Sequence, residues 1–116
     1  MELTVEKQDG IHIVRIAGRL DGTTSSAAES EIVKLSEAGC RNFLFDLTEL
    51  EYISSAGLRV MLLAAKKARA AGGKAAVFGM NGTIREIFSI SGFLTIFPDL
   101  PSREEGLRHM AEPPQT

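Results

Sequence analysis

The chain has a single cysteine, Cys40. An internal disulfide is therefore impossible, and a reducing, cytoplasmic setting is the expectation. It has no apolar run of membrane-spanning length. Its first residues, Met1-Glu2-Leu3-Thr4, have neither the basic residues nor the apolar core of a signal peptide. Charge of one sign is also scarce: 13 Lys and Arg against 15 Asp and Glu leave a net charge of −2. That balance lacks the basic excess of a nucleic-acid-binding protein. The only histidines are His12 and His109, far apart in the chain. No cluster of His, Cys or carboxylate has metal-ligand spacing, and no Walker-type or dinucleotide-binding glycine loop occurs. No metal and no cofactor is expected.

What remains is the composition of an ordinary soluble domain, 44% hydrophobic and 24% charged. At 116 residues it is long enough to bury one core. Leu3 to Gln8 and Ile11 to Ala17 read as strands joined by Asp9-Gly10, a strong hairpin signal. His12 is read as an exposed strand residue. A helix is expected from Ser25 to Ala38, opened by the capping box Ser26-Ala27-Ala28-Glu29. Cys40 reads as a small, half-buried apolar residue. Asn42 to Leu47 is apolar on both faces, as in a strand covered by helices, and Asp46 interrupts it near its C-terminal end.

A helix from Ser55 to about Ala71 has Leu58, Met61, Leu62, Ala65 and Ala68 on one face. Val60, Leu63 and Ala64 form a second apolar edge, either packed on core elements or open to a partner. Lys66, Lys67 and Arg69 complement the dipole at its end. Lys74 to Gly79 is a further strand. Thr83-Ile84-Arg85-Glu86 opens another helix, Phe93 to Phe97 reads as a last strand stopped by Pro98, and Ser102-Arg103-Glu104-Glu105 opens a short C-terminal helix. Residues 111–116 are expected to be a disordered tail. The order is ββαβαβαβα, an α/β fold with a mixed β-sheet covered by helices, in one domain over residues 1–110.

The most informative stretch is Ile53-Ser54-Ser55-Ala56-Gly57-Leu58, where strand turns into helix. A helix N-terminus offers free N–H groups and partial positive charge. It suits a hydroxyl cap or an anion. On residue type alone, Ser54 or Ser55 is a structural cap. A phosphoserine there would add roughly −1.5 to −2 charge. Ligand sites of α/β sheets gather at the C-terminal ends of strands, so Asp46 belongs beside this loop. Its simplest role is to accept backbone N–H groups. Asp21 is a loop residue or a partner contact.

In order along the chain come Gly18-Arg19-Leu20-Asp21, Asn42-Phe43-Leu44-Phe45-Asp46-Leu47-Thr48, Ile53-Ser54-Ser55-Ala56-Gly57-Leu58, Gly72-Gly73 and Asn81-Gly82-Thr83-Ile84-Arg85. This succession resembles the STAS domain family, and within it the stand-alone anti-sigma factor antagonists, from about Val5 to Leu107. The resemblance implies the STAS fold and a non-enzymatic switch. Its partner would be an anti-sigma factor that is also a serine kinase of the histidine-kinase-like ATPase fold. Binding frees the sigma factor, phosphorylation of the antagonist releases it, and a PP2C-type phosphatase restores it. Carried onto this chain, the acceptor is Ser55, with Ser54 second. Asp21, Ser54, Ser55, Ala56, Gly57 and Leu58 form the partner surface, and Asp46 supports it. Ser54 stands where many members have Asp, which removes a negative charge beside the acceptor. The protein would be a monomer or weak dimer.

An enzyme fits the residues poorly. Ser55 has no nearby histidine in sequence and lacks the first glycine of a nucleophile elbow. An aspartyl-phosphate receiver built on Asp46 would want an acidic pair after the first strand and a lysine after a late one, and neither is present. A third possibility is a constitutive STAS subunit of a transport or sensory complex, not phosphorylated, with Val60, Leu63 and Ala64 as its permanent interface.

Overall fold

The computed structural model describes residues 1–113. Among these, strands β1 (Glu2–Gln8), β2 (Ile11–Leu20), β3 (Asn42–Asp46), β4 (Leu50–Ile53), β5 (Lys74–Phe78) and β6 (Asp99–Leu100) alternate with helices α1 (Ser25–Glu37), α2 (Ser55–Ala70), α3 (Gly82–Ile90) and α4 (Arg103–Ala111). The sheet order is β1-β2-β3-β5-β6, with β4 pairing β2 off this path. The β1–β2 hairpin is antiparallel and every other pairing is parallel. The mixed sheet covered by helices is as the sequence implied.

Two elements differ from expectation. β4 was absent from the sequence reading, and it makes the order ββαββαβαβα. It is only four residues long, exposed at its centre and buried at both ends, so it has no alternation to detect. The last strand is displaced. Phe93 to Phe97 does not join the sheet; Phe93–Thr95 is a 3-10 turn, and β6 begins after Pro98. The aromatic rings explain this. Phe97 packs edge-on to Phe45 and Phe88 at centroid distances of 6.2 and 6.0 Å, and Phe93 packs on Phe88 at 5.7 Å. The 3-10 turn at Phe93–Thr95 draws the Phe93 and Phe97 rings together, with centroids 6.2 Å apart, whereas an extended strand would hold the two residues about 13 Å apart. The Pro98 carbonyl then accepts the Val77 N–H and starts the ladder.

Each side of the sheet buries its own cluster. Val14, Ile16, Phe43, Phe45 and Val77 meet α1, α2 and α3, whereas Ile11, Ile13, Leu44, Ala76 and Phe78 meet Met110 of α4. β3 contributes to both, as its two-faced apolarity required. Val60 and Ala64 lie in the first cluster, 3% and 0% exposed. Of the second edge of α2, Val60 and Ala64 are therefore core, while Leu63 is half-buried. His12 is half-buried rather than exposed, with Nδ1 enclosed and without a partner. Burial, then Lys7, lowers its pKa.

Two of the three capping boxes also fail. α1 begins one residue before Ser26, after Thr24, and α3 is capped by Asn81, whose Oδ1 accepts the Ile84 N–H at 2.9 Å. Of the third, the serine cap forms, Ser102 Oγ accepting the Glu105 N–H at 3.2 Å, while the Glu105 carboxylate pairs with Arg108. α4 ends at Ala111, and of the expected tail, residues 114–116 lie outside the described residues.

Candidate functional site

The site is assembled where β2 and β4 end. β2 continues past Gly18, whose φ of +87° suits glycine. There the register shifts, and the upper part of β2 pairs with β4: Arg19 opposes Tyr52 and Leu20 opposes Ile53. Between β3 and β4 the chain turns on Asp46. Its Oδ1 accepts the Thr48 N–H at 3.0 Å and the Thr48 hydroxyl at 2.7 Å. Asp46 thus does what its simplest reading said: it shapes the loop that leads to β4.

Ser54 has extended backbone and is the N-cap of α2, its Oγ accepting the Gly57 N–H at 3.4 Å. Its own N–H donates to the Leu20 carbonyl at 3.0 Å. That bond sets the start of α2 against the end of β2, with Asp21 next in the chain. Ser55 is the first residue of α2, exposed, and its hydroxyl has no hydrogen-bond partner among the described residues. The two serines, equivalent by residue type, are separated by geometry: one caps and the other is free.

Ala56 is half-buried, and Gly57 is buried. A Cβ on Gly57 would lie 2.6 Å from the Leu20 carbonyl oxygen and 2.7 Å from Ile53 Cγ1. Its glycine is a packing requirement. Leu58 is half-buried against the main core. Of residues 54–58, Ser55 alone is fully exposed, and the next exposed side chain is Arg59, one turn on. α2 has no acidic residue in its first turn, so its N-terminal partial charge is not offset by its own side chains.

Asp21 lies in the turn before α1. Its carboxylate accepts the Thr23 N–H at 3.0 Å and the Thr23 hydroxyl at 2.8 Å, and pairs with Arg19 at 3.4 Å. The Thr23 bonds and then Arg19 hold its pKa below the usual carboxylate value. Two residues not singled out in the sequence join this surface. The Arg19 guanidinium lies over the Tyr52 ring, 4.4 Å from its centroid, and both are exposed. Arg and Tyr are the residue types that dominate binding hot spots. The pair was not legible because it depends on the β2–β4 ladder, and β4 had not been recognised. The N-termini of α1 and α2 enclose a small polar depression of about 140 Å³ bordered by Ser25, Ser26, Glu29 and Arg59. Cys40 lies away from this surface, buried, its thiol pushed up to about 11 by burial.

The STAS domain profile matches residues 2–106. The chain belongs to the STAS domain family. It is 42% identical over 104 residues to BtrV of Bordetella bronchiseptica, named as a candidate anti-sigma factor antagonist, with 90% of each chain covered. Among solved structures, an anti-sigma factor antagonist from Mycobacterium paratuberculosis is similar at a TM-score of 0.87 and 22% identity, over 96% of this chain and 94% of that one. The Bacillus cell fate determinant SpoIIAA in its phosphorylated form is similar at a TM-score of 0.74 and 19% identity, over 93% and 98%. At these identities the structural matches speak for the fold. No α-helix among the described residues is long and apolar enough to cross a membrane.

Proposed function

We propose that this STAS domain is an anti-sigma factor antagonist that works by partner switching in the cytoplasm, as a binding protein and not a catalyst. In its unphosphorylated state it binds an anti-sigma factor that is also a serine kinase of the histidine-kinase-like ATPase fold. Phosphorylation of Ser55 releases it, and a PP2C-type phosphatase restores it. The observation that carries the reading is the division of labour at the start of α2. Ser54 holds the cap, so the exposed Ser55 hydroxyl is free to be modified without loss of a structural bond. The names of the similar proteins support the same role, and SpoIIAA is itself known in a phosphorylated form.

The physics suits a switch. A phosphate on the first residue of a helix meets free N–H groups and the positive end of the dipole, so the fold tolerates it. The same group inside an interface brings bulk and about −2 charge, and a buried unpaired charge costs several kcal/mol, each 1.4 kcal/mol being about tenfold in affinity. The partner surface consists of Asp21, Ser54, Ser55 and Ala56 with Arg19 and Tyr52, while Gly57 and Leu58 set the pose of the helix. The test is phosphosite mapping by mass spectrometry on the protein from growing and stressed cells, together with binding of Ser55→Asp to the cognate anti-sigma factor. Phosphate on Ser55 that varies with condition, and a Ser55→Asp affinity reduced by roughly a hundredfold, are expected. Wild-type affinity in Ser55→Asp would exclude a charge switch.

A further inference from the structure

At the other end of the sheet, β5 has a free edge. Parallel pairing sends alternate residues of a strand to opposite sides. The Lys74 N–H is bonded to Asn42 Oδ1, on the β3 side, and the Val77 N–H to the Pro98 carbonyl, on the β6 side. Ala75 therefore directs its N–H and C=O to the same side as Val77. β6 pairs only with Val77 and Phe78, so it does not reach Ala75. In front of this edge lies an open slot of about 770 Å³. Leu62 of α2 walls it on one face of the sheet, His109 of α4 on the other, and Ile96 closes its end.

The charged lining is of one kind. Lys66, Arg69 and Lys74 border the slot, and no carboxylate among the described residues does. This occurs in a chain whose net charge is −2. Lys74 is held over the slot by a 2.7 Å bond from its ammonium to the His109 carbonyl. Beside these bases is an exposed apolar group, Ile96 at 41%. An unpaired strand edge between overhanging walls is the geometry by which a sheet accepts a guest strand. The cationic rim selects a guest of opposite charge.

We propose that the free edge of β5 docks a short, extended, acidic segment of a second protein. Ala75 supplies the backbone pairing, Leu62 and Ile96 receive apolar side chains, and Lys66, Arg69 and Lys74 hold the carboxylates. The slot runs along the second half of α2, from Leu62 to Arg69, whereas Ser55 opens its first turn. Fourteen helical residues put roughly 21 Å between Ser55 and Arg69. Docking here is thus compatible with an occupied or phosphorylated site at the other end.

The test uses the full chain and a short fluorescent peptide alternating glutamate and valine, followed by fluorescence anisotropy and amide exchange. Saturable binding is expected, equal in wild type and Ser55→Asp and weakened by added salt. It should fall by roughly tenfold or more in Lys66→Glu/Arg69→Glu, with that variant's thermal unfolding unchanged. The Ala75 amide should gain protection. Three results would each overturn the proposal: no saturable binding; equal binding of a lysine–valine peptide; or an unprotected Ala75 amide with the glutamate peptide displaced by decanoate, which would assign the slot to a fatty carboxylate.

Discussion

Replacing Gly57 by alanine tests the site's construction, because two effects of opposite sign compete. Alanine is the better helix former, and in an open helical position the change would gain about 1 kcal/mol. Here the new methyl would lie 2.6 Å from the Leu20 carbonyl oxygen, 2.7 Å from Ile53 Cγ1 and 2.9 Å from Leu20 Cγ. None of these can withdraw cheaply. The Leu20 carbonyl already accepts the Ser54 N–H at 3.0 Å, and the Leu20 and Ile53 side chains are 0% and 2% exposed. Overpacking of this kind costs about 1–3 kcal/mol, and three simultaneous overlaps put it at the upper end. The net expectation is a loss of about 2 kcal/mol, or a fall of roughly 8 °C in melting temperature for a domain of this size. Gly82→Ala is the matched control. It opens α3, has open space at its Cβ and needs no left-handed backbone, so a gain of about 0.4–1 kcal/mol is expected. Urea unfolding followed by circular dichroism gives both signs in one assay. A Gly57→Ala midpoint at or above wild type would refute the steric account.

Other substitutions probe the neighbouring contacts. Ser54→Ala should cost about 0.5–1 kcal/mol through loss of the α2 cap, while Ser55→Ala, which breaks no hydrogen bond, should stay within about 0.5 kcal/mol of wild type; equal losses in urea would refute the division between them. Asn81→Ala removes both the α3 cap and the 3.2 Å bond from Nδ2 to the Leu50 carbonyl, so a loss of about 1–2 kcal/mol is expected by the same measurement. Burial lowers the pKa of His12 and of His109, with Lys7 and Lys74 adding to the shift. The unfolded chain then binds these protons more readily than the folded one. Stability from this source is complete above the ordinary value of 6.5 and declines as pH falls below it. Urea midpoints should fall from about pH 7.5 to about pH 5.5, and His12→Gln with His109→Gln should flatten the curve.

The parts of the fold that were legible in the sequence are those whose signal is local. Asp9-Gly10 does join two strands, with Asp9 at φ +52° and Gly10 at φ +79°. The two-faced run Phe43-Leu44-Phe45 does feed both cores. What was not legible depends on contacts remote in sequence. Phe93 and Phe97 look like strand residues until Phe45 and Phe88 are brought to them. Capping boxes at Ser26 and Thr83 match by spacing, but the chain enters those helices earlier, through the Asp21–Thr24 turn and through Asn81. The serine pair was located correctly as a strand-to-helix junction. Which serine caps could not be read, because it turns on the Leu20 carbonyl that fixes Ser54.

β4 has a mechanical consequence. It is held in the sheet by β2 alone, through three paired positions, one at Gly18 and two beyond the register shift, with the Gly18 N–H to Glu49 carbonyl bond at 2.9 Å as an anchor below. The lower part of β2 is clamped on both sides, by β1 and by β3. Stiffness is therefore graded along one strand. Backbone amides at residues 50–53 should exchange through small openings, while those of Val14 and Phe45 wait for global unfolding. The end of the domain that carries Ser55 can yield by small amounts at low free-energy cost, and the sheet beneath it stays in register.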